Sequence, residues 1–386
     1  MVQTTRRDIL KSSLAVAGLS VLSVPDWVLP ALAQGETLVP FTDLPATINL
    51  VPAPDRLMLD VRTIDGGLTP KDQFFTIQHY GHPEVDPTAF RLKVSGLVDK
   101  PLSLSLPELQ KMRRTEQVVG FECSGNVRPL QGLVSNGRWT GVPLRTVLDQ
   151  AGVKAQGKEL VFFGADEGEE DVDFRGQITK VRQQFGRSLP RERALSPEPM
   201  LAYALNGDPL TKPQGFPLRL IVPGWYGVAN VKWLSEIHVQ EDQFLGKFQA
   251  RWYRTLRGEL VNGEMKWKES AVTRMQLKSF IARVTRAGAQ HNVFGIVLND
   301  GTPIKSVEVR VDNGPWQPAA LDRSVASKYS WQPFNYVWRG ATPGEHTLIS
   351  RVIDVTGKVQ PTVEELANKK TFLEDNSQHE RKVMIS

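Results

Sequence analysis

Apolar and polar positions change rhythm several times along this chain. From Phe74 to about Gln240, short β-like runs such as Arg91–Val98 and Leu218–Val222 alternate with helix-like segments at Leu106–Lys111 and Leu144–Ala151. Ser105 precedes the first helix with Glu108 three residues on, the pattern of a capping box. There is no strict strand–helix–strand repeat and no G-x-G-x-x-G after a strand, so a doubly wound nucleotide-binding fold is not indicated. From Leu277 the character turns to regular short strands: Phe280–Val284, Val293–Leu298, Val307–Val311 and Thr347–Ile353. Asn299-Asp300-Gly301 and Asp312-Asn313-Gly314 supply turns between them. The pattern predicts an extended, proline-rich lead-in over 34–73 on the surface of the main domain and a mixed α+β domain over 74–245. A charged, aromatic linker follows over 246–276, then an immunoglobulin-like β-sandwich over 277–386.

The first 33 residues have a separate logic. Arg6-Arg7 precede a modest apolar run from Ser13 to Val24, and Ala31-Leu32-Ala33 has the small-residue pattern of a cleavage site. The run is too short and too rich in Ser, Ala and Gly to span a bilayer, which takes roughly 20 apolar residues. It reads as a twin-arginine export signal, cleaved near Ala33, that delivers a folded, soluble protein to the periplasm. That route raises the expectation of a cofactor inserted before export.

Composition narrows the chemistry. The 386 residues are 40% hydrophobic and 23% charged, which suits a soluble protein with a real core. The net charge of +5 is scattered rather than gathered in a tract, so nucleic acid is not an expected partner, whereas a small anion or an acidic protein is. The single cysteine, Cys123, excludes a disulfide framework, an intrachain multi-cysteine zinc site, an iron–sulfur cluster and a C-x-x-C-H haem attachment. No haem is expected on this chain, and electrons handled here must pass to another molecule.

Cys123 sits in Gly120-Phe121-Glu122-Cys123-Ser124-Gly125-Asn126-Val127-Arg128, followed by Arg138-Trp139-Thr140-Gly141-Val142-Pro143. A lone cysteine is often a small buried hydrophobe. Ser-Gly-Asn directly after it is loop chemistry, and Arg128 is near enough in sequence to favour a thiolate, the form that binds a soft metal. The residues by themselves leave both readings open.

Glu122–Asn126 followed by Arg138–Gly141 resembles the molybdenum-ligand motif of the sulfite oxidase family. The likeness continues through Ala202–Leu210, Gly215–Gly224 and Val231–Leu234, and the C-terminal strands resemble that family's dimerisation domain. The resemblance implies a molybdenum–molybdopterin cofactor with Cys123 as the metal's protein ligand. It implies Arg219, Asn230, Val231 and Lys232 at the pterin phosphate and ring, where a buried dianion wants a guanidinium fork, an ammonium and backbone N–H groups. Asp166 is matched to a pterin-contacting aspartate, His79 to a cofactor-contacting loop, Arg128 to an arginine that holds the anionic substrate, and Tyr253 to a tyrosine that donates a hydrogen bond at the metal. Without the motif, His79 would be an ordinary structural histidine and Tyr253 core packing.

By the same resemblance the reaction is oxidation of sulfite to sulfate, with cytochrome c or a separate haem subunit as acceptor and a homodimer as the assembly. The sequence also departs from the family. Ile77 stands where an arginine is usual in F-x-R-N-H, Gln78 replaces asparagine, Gln214 replaces a histidine, and Ser124 and Val127 replace alanine and arginine. Loss of one arginine weakens a sulfite pocket and leaves a molybdenum reductase of S-oxides as the alternative. Two further rivals are a secreted β-sandwich binding protein without cofactor, and a cysteine hydrolase using His79 as base.

Overall fold

The computed structural model describes residues 32, 35–44, 56–126, 128–324 and 327–386, so the twin-arginine segment and Ala33 lie outside the described residues. Two five-stranded sheets build the first half. One runs in the order Asp208–Pro209, Met200–Leu205, Val134–Pro143, Thr115–Glu122, with Arg219–Ile221 also paired to Met200–Leu205. The other runs Leu102–Leu104, Leu92–Gly96, Leu234–Gln240, Glu159–Phe174, Gln177–Pro190. Its pairing of Leu92–Gly96 with Leu234–Gln240 is parallel; the flanking ladders are antiparallel.

The helices fall where the pattern places them. Leu106–Lys111 starts at Ser105 with both arms of the capping box made. Leu144–Ala151 buries Leu144, Val147, Leu148 and Ala151, one stripe of a 3.6-residue repeat, and ends on Gly152 in the left-handed region at φ 69°. That stripe packs with Leu160, Phe162, Leu201 and Ile237 in the largest core. Helix is nevertheless scarce: these two and Arg191–Ala194 are the α-helices among the described residues, and the first half is richer in strand than a mixed α+β reading suggests.

In the second half, eight strands follow one path: Thr37–Val39, Lys278–Ala287, Gln290–Leu298, Gln332–Trp338, Gln317–Leu321, Ile304–Val311, Gly344–Asp354 and Glu380–Ile385. Ile281, Val293, Val309, Phe334, Leu348 and Val383 from across this path share one core, so the sheet folds over on itself. Lys278–Ala287 is buried on both faces. Phe280 and Ala282 point away from that core and pack with Leu59, Val61, Val134 and Trp331 against the first half.

Two expectations are corrected. The segment 34–73 is not simply laid on the main domain: Thr37–Val39 pairs with Lys278–Ala287 of the C-terminal sheet, and Arg56–Leu57 pairs with Thr76–Ile77. The stretch expected as a linker holds a hairpin, Arg254–Val261 with Glu264–Ala271, turned by Asn262 and Gly263 at φ 52° and 82°. Positive φ at both turn positions is what Asn-Gly tolerates best. A core substitution tests the folded-over sheet: Leu348→Ala, at a fully buried position, should cost about 2–5 kcal/mol in urea unfolding of the whole chain.

Candidate active site

Strand Thr115–Glu122 ends one residue before Cys123, and Val134–Pro143 pairs back along it, so 123–133 is the loop of a long hairpin. The Cys123 N–H donates to the Leu133 carbonyl at 3.0 Å, and the Asn126 N–H donates back to the Cys123 carbonyl at 2.9 Å. The loop opens onto a cavity of about 680 Å³ including its mouth, lined by Cys123, His79, Asp166, Arg219, Lys232 and Tyr253 among others. Phe74, Phe75, Ile77, Phe121 and Phe185 supply its apolar walls.

One end of the cavity is cationic. Arg219 is buried, donates to the carbonyls of Gln214 at 2.9 Å and Asn230 at 3.1 Å, and keeps its Nε without a partner. Its guanidinium carbon lies 4.9 Å from the centre of the Trp139 ring and 5.6 Å from that of Phe121. Burial presses its pKa down to about 9, which leaves it charged at neutral pH. Lys232 donates to Gln78 Oε1 and the Pro213 carbonyl, both at 3.1 Å, and lies 4.4 Å from the centre of the Trp233 ring. Burial, then the neighbouring Arg219, holds Lys232 well below its usual pKa, while Asp166 pulls the other way. Neither cation forms an ion pair among the described residues. Asp166 is buried with Oδ1 unpartnered, and burial pushes its carboxyl up to about 6 despite Lys232. A side chain at Gly215 would press on Lys232 at 2.9 Å, so the backbone there must stay bare.

The other end carries the thiol and a proton-handling pair. Tyr253 Oη and His79 Nε2 are 2.9 Å apart. Burial, with smaller effects from Lys232 and Lys247, pushes His79 down to about 4, so the ring is neutral at pH 7. It stacks on Phe248 at 4.5 Å. Burial and the neighbouring Cys123 raise the Tyr253 phenol well above its usual range.

The cavity therefore brings together Cys123, His79, Asp166, Arg219, Asn230, Lys232 and Tyr253. Asn230 contributes through its backbone, since its side chain accepts from the Val222 N–H at 2.7 Å and donates to the Tyr226 carbonyl at 3.1 Å. Val231 is buried in the main core and accepts from the Leu220 N–H at 2.8 Å, setting the register of the block. Arg128 does not join them. Its guanidinium turns outward to Asp375 at 3.5 Å and lines a different surface cleft, with 40% of the side chain exposed. The expectation that Arg128 favours the thiolate fails with it: burial, with Glu122 adding to it, pushes the thiol up to about 11. Sequence reasoning missed Trp233 and Phe121, whose rings lie beside the two cations, and no short-range pattern marks them.

The donor set fits the expected cofactor. A buried Arg219 with an orphaned Nε and a half-buried Lys232, neither in an ion pair among the described residues, face one cavity and suit a dianionic phosphate. An orphaned Asp166 oxygen suits ring N–H donors, and a buried thiol suits a soft metal that displaces its proton. The folded chain holds the Asp166 proton to a higher pH than the unfolded chain does. Asp166 therefore opposes folding increasingly from about pH 4 to about pH 6 and constantly above that. In cofactor-free protein, Asp166→Asn should be neutral at pH 4 and stabilising by up to about 3 kcal/mol at pH 8, read by denaturant unfolding at both pH values.

A family model described as the oxidoreductase molybdopterin binding domain matches residues 79–248, which carry most of the cavity. The mitochondrial sulfite oxidase of Mus musculus is 30% identical over 373 residues, covering 87% of this chain and 64% of the mouse protein. The chain thus spans a little under two thirds of that relative's length. The sulfite oxidase of Gallus gallus is 31% identical over 323 residues, covering 76% of this chain and 68% of the chicken protein. The crystal structure of the sulfane dehydrogenase SoxCD from Paracoccus pantotrophus superposes with a TM-score of 0.72 at 25% identity, over 90% of this chain and 91% of that one. With the cysteine motif, the cation block and these likenesses in agreement, the chain belongs to the sulfite oxidase family of molybdopterin-binding oxidoreductases.

Proposed function

We propose that this chain is a periplasmic molybdenum oxidoreductase that oxidises sulfite to sulfate. The reading rests on one observation above the others: Cys123 opens onto the same cavity as Arg219 and Lys232. Arg219, Lys232 and Asp166 would hold the pterin phosphate and ring, and Cys123 would ligate the metal. When bound, the cofactor would supply two-electron oxygen-transfer chemistry. Overall, sulfite gains one oxygen drawn from water and releases two electrons and two protons. The electrons go to cytochrome c or a separate haem subunit.

The chain's own residues set proton positions around that event. With His79 neutral and its Nε2 protonated, the imidazole donates to Tyr253 Oη and leaves the phenolic proton free to donate into the cavity. Phe75, Ile77 and Phe185 keep that region apolar, which strengthens the donation. The twin-arginine leader supports export of the folded, loaded protein. An immunoglobulin-like C-terminal domain and a homodimer are part of the same reading, and exposed Val337, Val355 and Met384 offer apolar surface for pairing.

Ile77 in the wall and Arg128 drawn away to Asp375 favour a second reading, in which the substrate is an uncharged sulfur compound. It would be oxidised at a sulfane sulfur, as the name of SoxCD states for that protein, or reduced as an S-oxide. Assays of cytochrome c reduction with sulfite and with an uncharged sulfane such as a dialkyl trisulfide, beside sulfoxide-dependent oxidation of reduced viologen, separate the three. Protein purified from a host that makes the cofactor should contain molybdenum and reduce cytochrome c with sulfite. Cys123→Ser should cut that rate by more than the roughly 10–100-fold that loss of an outer-shell partner costs, with the fold kept. A Cys123→Ser protein as active as the original, or an original without molybdenum, would overturn the proposal.

A further inference from the structure

One buried ion pair joins the cysteine loop to the C-terminal sheet. Lys278 opens strand Lys278–Ala287, and Glu122 directly precedes Cys123. Lys278 Nζ lies 2.7 Å from Glu122 Oε1, with side-chain exposures of 1% and 2%. The same carboxylate oxygen accepts from Asn126 Nδ2 at 3.0 Å, while Asn126 Oδ1 accepts from the Leu133 N–H at 3.0 Å. Through the Asn126 N–H bond to the Cys123 carbonyl, the turn that carries the thiol closes on itself with Glu122 as its anchor. Lys278 is the group outside the loop that holds the anchor.

We propose that Lys278 is a positioning residue for Cys123: acting through Glu122, it fixes the turn that presents the sulfur to the cavity. The proposal rests on the reading of Cys123 as the metal's ligand. Stability alone is a poor reason for the pair. Burying two charges costs several kcal/mol of desolvation, and an apolar pair of similar size serves a core as well or better. An ion pair does supply direction. It gives the residue before the ligand one geometry, referenced to a strand that is buried on both faces and packs against both halves of the chain. The Glu374 N–H also donates to the Ser124 carbonyl at 2.7 Å, and Arg381 donates to the Pro129 carbonyl at 2.8 Å, so the C-terminal half grips the loop at several points.

The single cysteine makes the test direct. The double variant Glu122→Gln/Lys278→Met removes both charges together, keeps an amide to accept from Asn126 and leaves no unpaired charge to unfold the chain. In cofactor-free full-length protein, iodoacetamide should label its Cys123 on the order of tenfold faster than in the original, because the turn opens more often. In the loaded enzyme, the Mo(V) electron paramagnetic resonance signal should split into more than one species. Lys278→Met alone should show both effects and a lower melting temperature, since Glu122 is then buried without its counter-charge. Leu348→Ala serves as control: it loosens the core of the same sheet while leaving the Lys278–Glu122 pair intact, and should leave labelling near the original rate under native conditions. A double variant that labels and resonates like the original overturns the proposal, as does equal labelling of Leu348→Ala. Failure of the ligand reading would show separately, as an unchanged metal spectrum in Cys123→Ser.

Discussion

A buried guanidinium beside a half-buried lysine, neither held in an ion pair among the described residues, is the constraint from which the rest of this site follows. An ammonium or guanidinium taken out of water costs several kcal/mol even after the protein relaxes. Arg219 and Lys232 recover part of that from backbone carbonyls and part from the rings of Trp139, Phe121 and Trp233, contacts worth about 0.5–2 kcal/mol each. The remainder is a standing deficit that a dianionic group would remove. Asp166 removes only part of it: with its pKa raised to about 6 it is mostly ionised at pH 7, yet it forms no ion pair with Lys232 among the described residues. The chain is thus strained electrostatically in a way that binding relieves.

A deficit of this kind needs a stiff frame. The cations come from 219–232, a block that crosses itself: the Leu220 N–H donates to Val231, Leu234 to Leu218 and Trp233 to Gly215. Trp233 adopts φ 47°, a conformation unusual for a bulky residue, and its indole N–H is held by the Lys212 carbonyl at 2.8 Å. The thiol comes from a hairpin loop of the same sheet that holds Arg219–Ile221, and the His79–Tyr253 pair ties the start of the first half to the segment that leaves it. Five separate stretches of chain, around His79, Cys123, Asp166, Arg219–Lys232 and Tyr253, meet at one cavity, so only a packed scaffold, and no local element, can set their spacing.

Legibility in the sequence followed the range of the forces involved. The helices Leu106–Lys111 and Leu144–Ala151 were readable because caps and 3.6-residue stripes are local. The hairpin 254–271 reads as a linker in sequence because Glu259, Lys266, Lys268 and Glu269 face solvent, so no apolar alternation shows, although Asn262-Gly263 is a strong turn signal. Cys123, Arg219 and Lys232 were legible through the resemblance their motifs carry. Arg128 was not: five residues from Cys123 in sequence, it is drawn the other way by Asp375, which is 247 positions further on. The thiol's acidity was misjudged for the same reason, since an expected cation was replaced by a buried wall and Glu122. Lys278 and Glu122 look like ordinary strand residues until folding joins them.

The division of labour between the halves bears on when such a site is complete. Arg219 and Lys232 belong wholly to the first half. The thiol loop is braced from the second, by Lys278 and by the Glu374 backbone. The first half alone would offer a charged pocket with a poorly held sulfur, and the second alone would offer no pocket. The site is therefore complete only when both halves are packed together, because the C-terminal sheet fixes the turn that carries the sulfur.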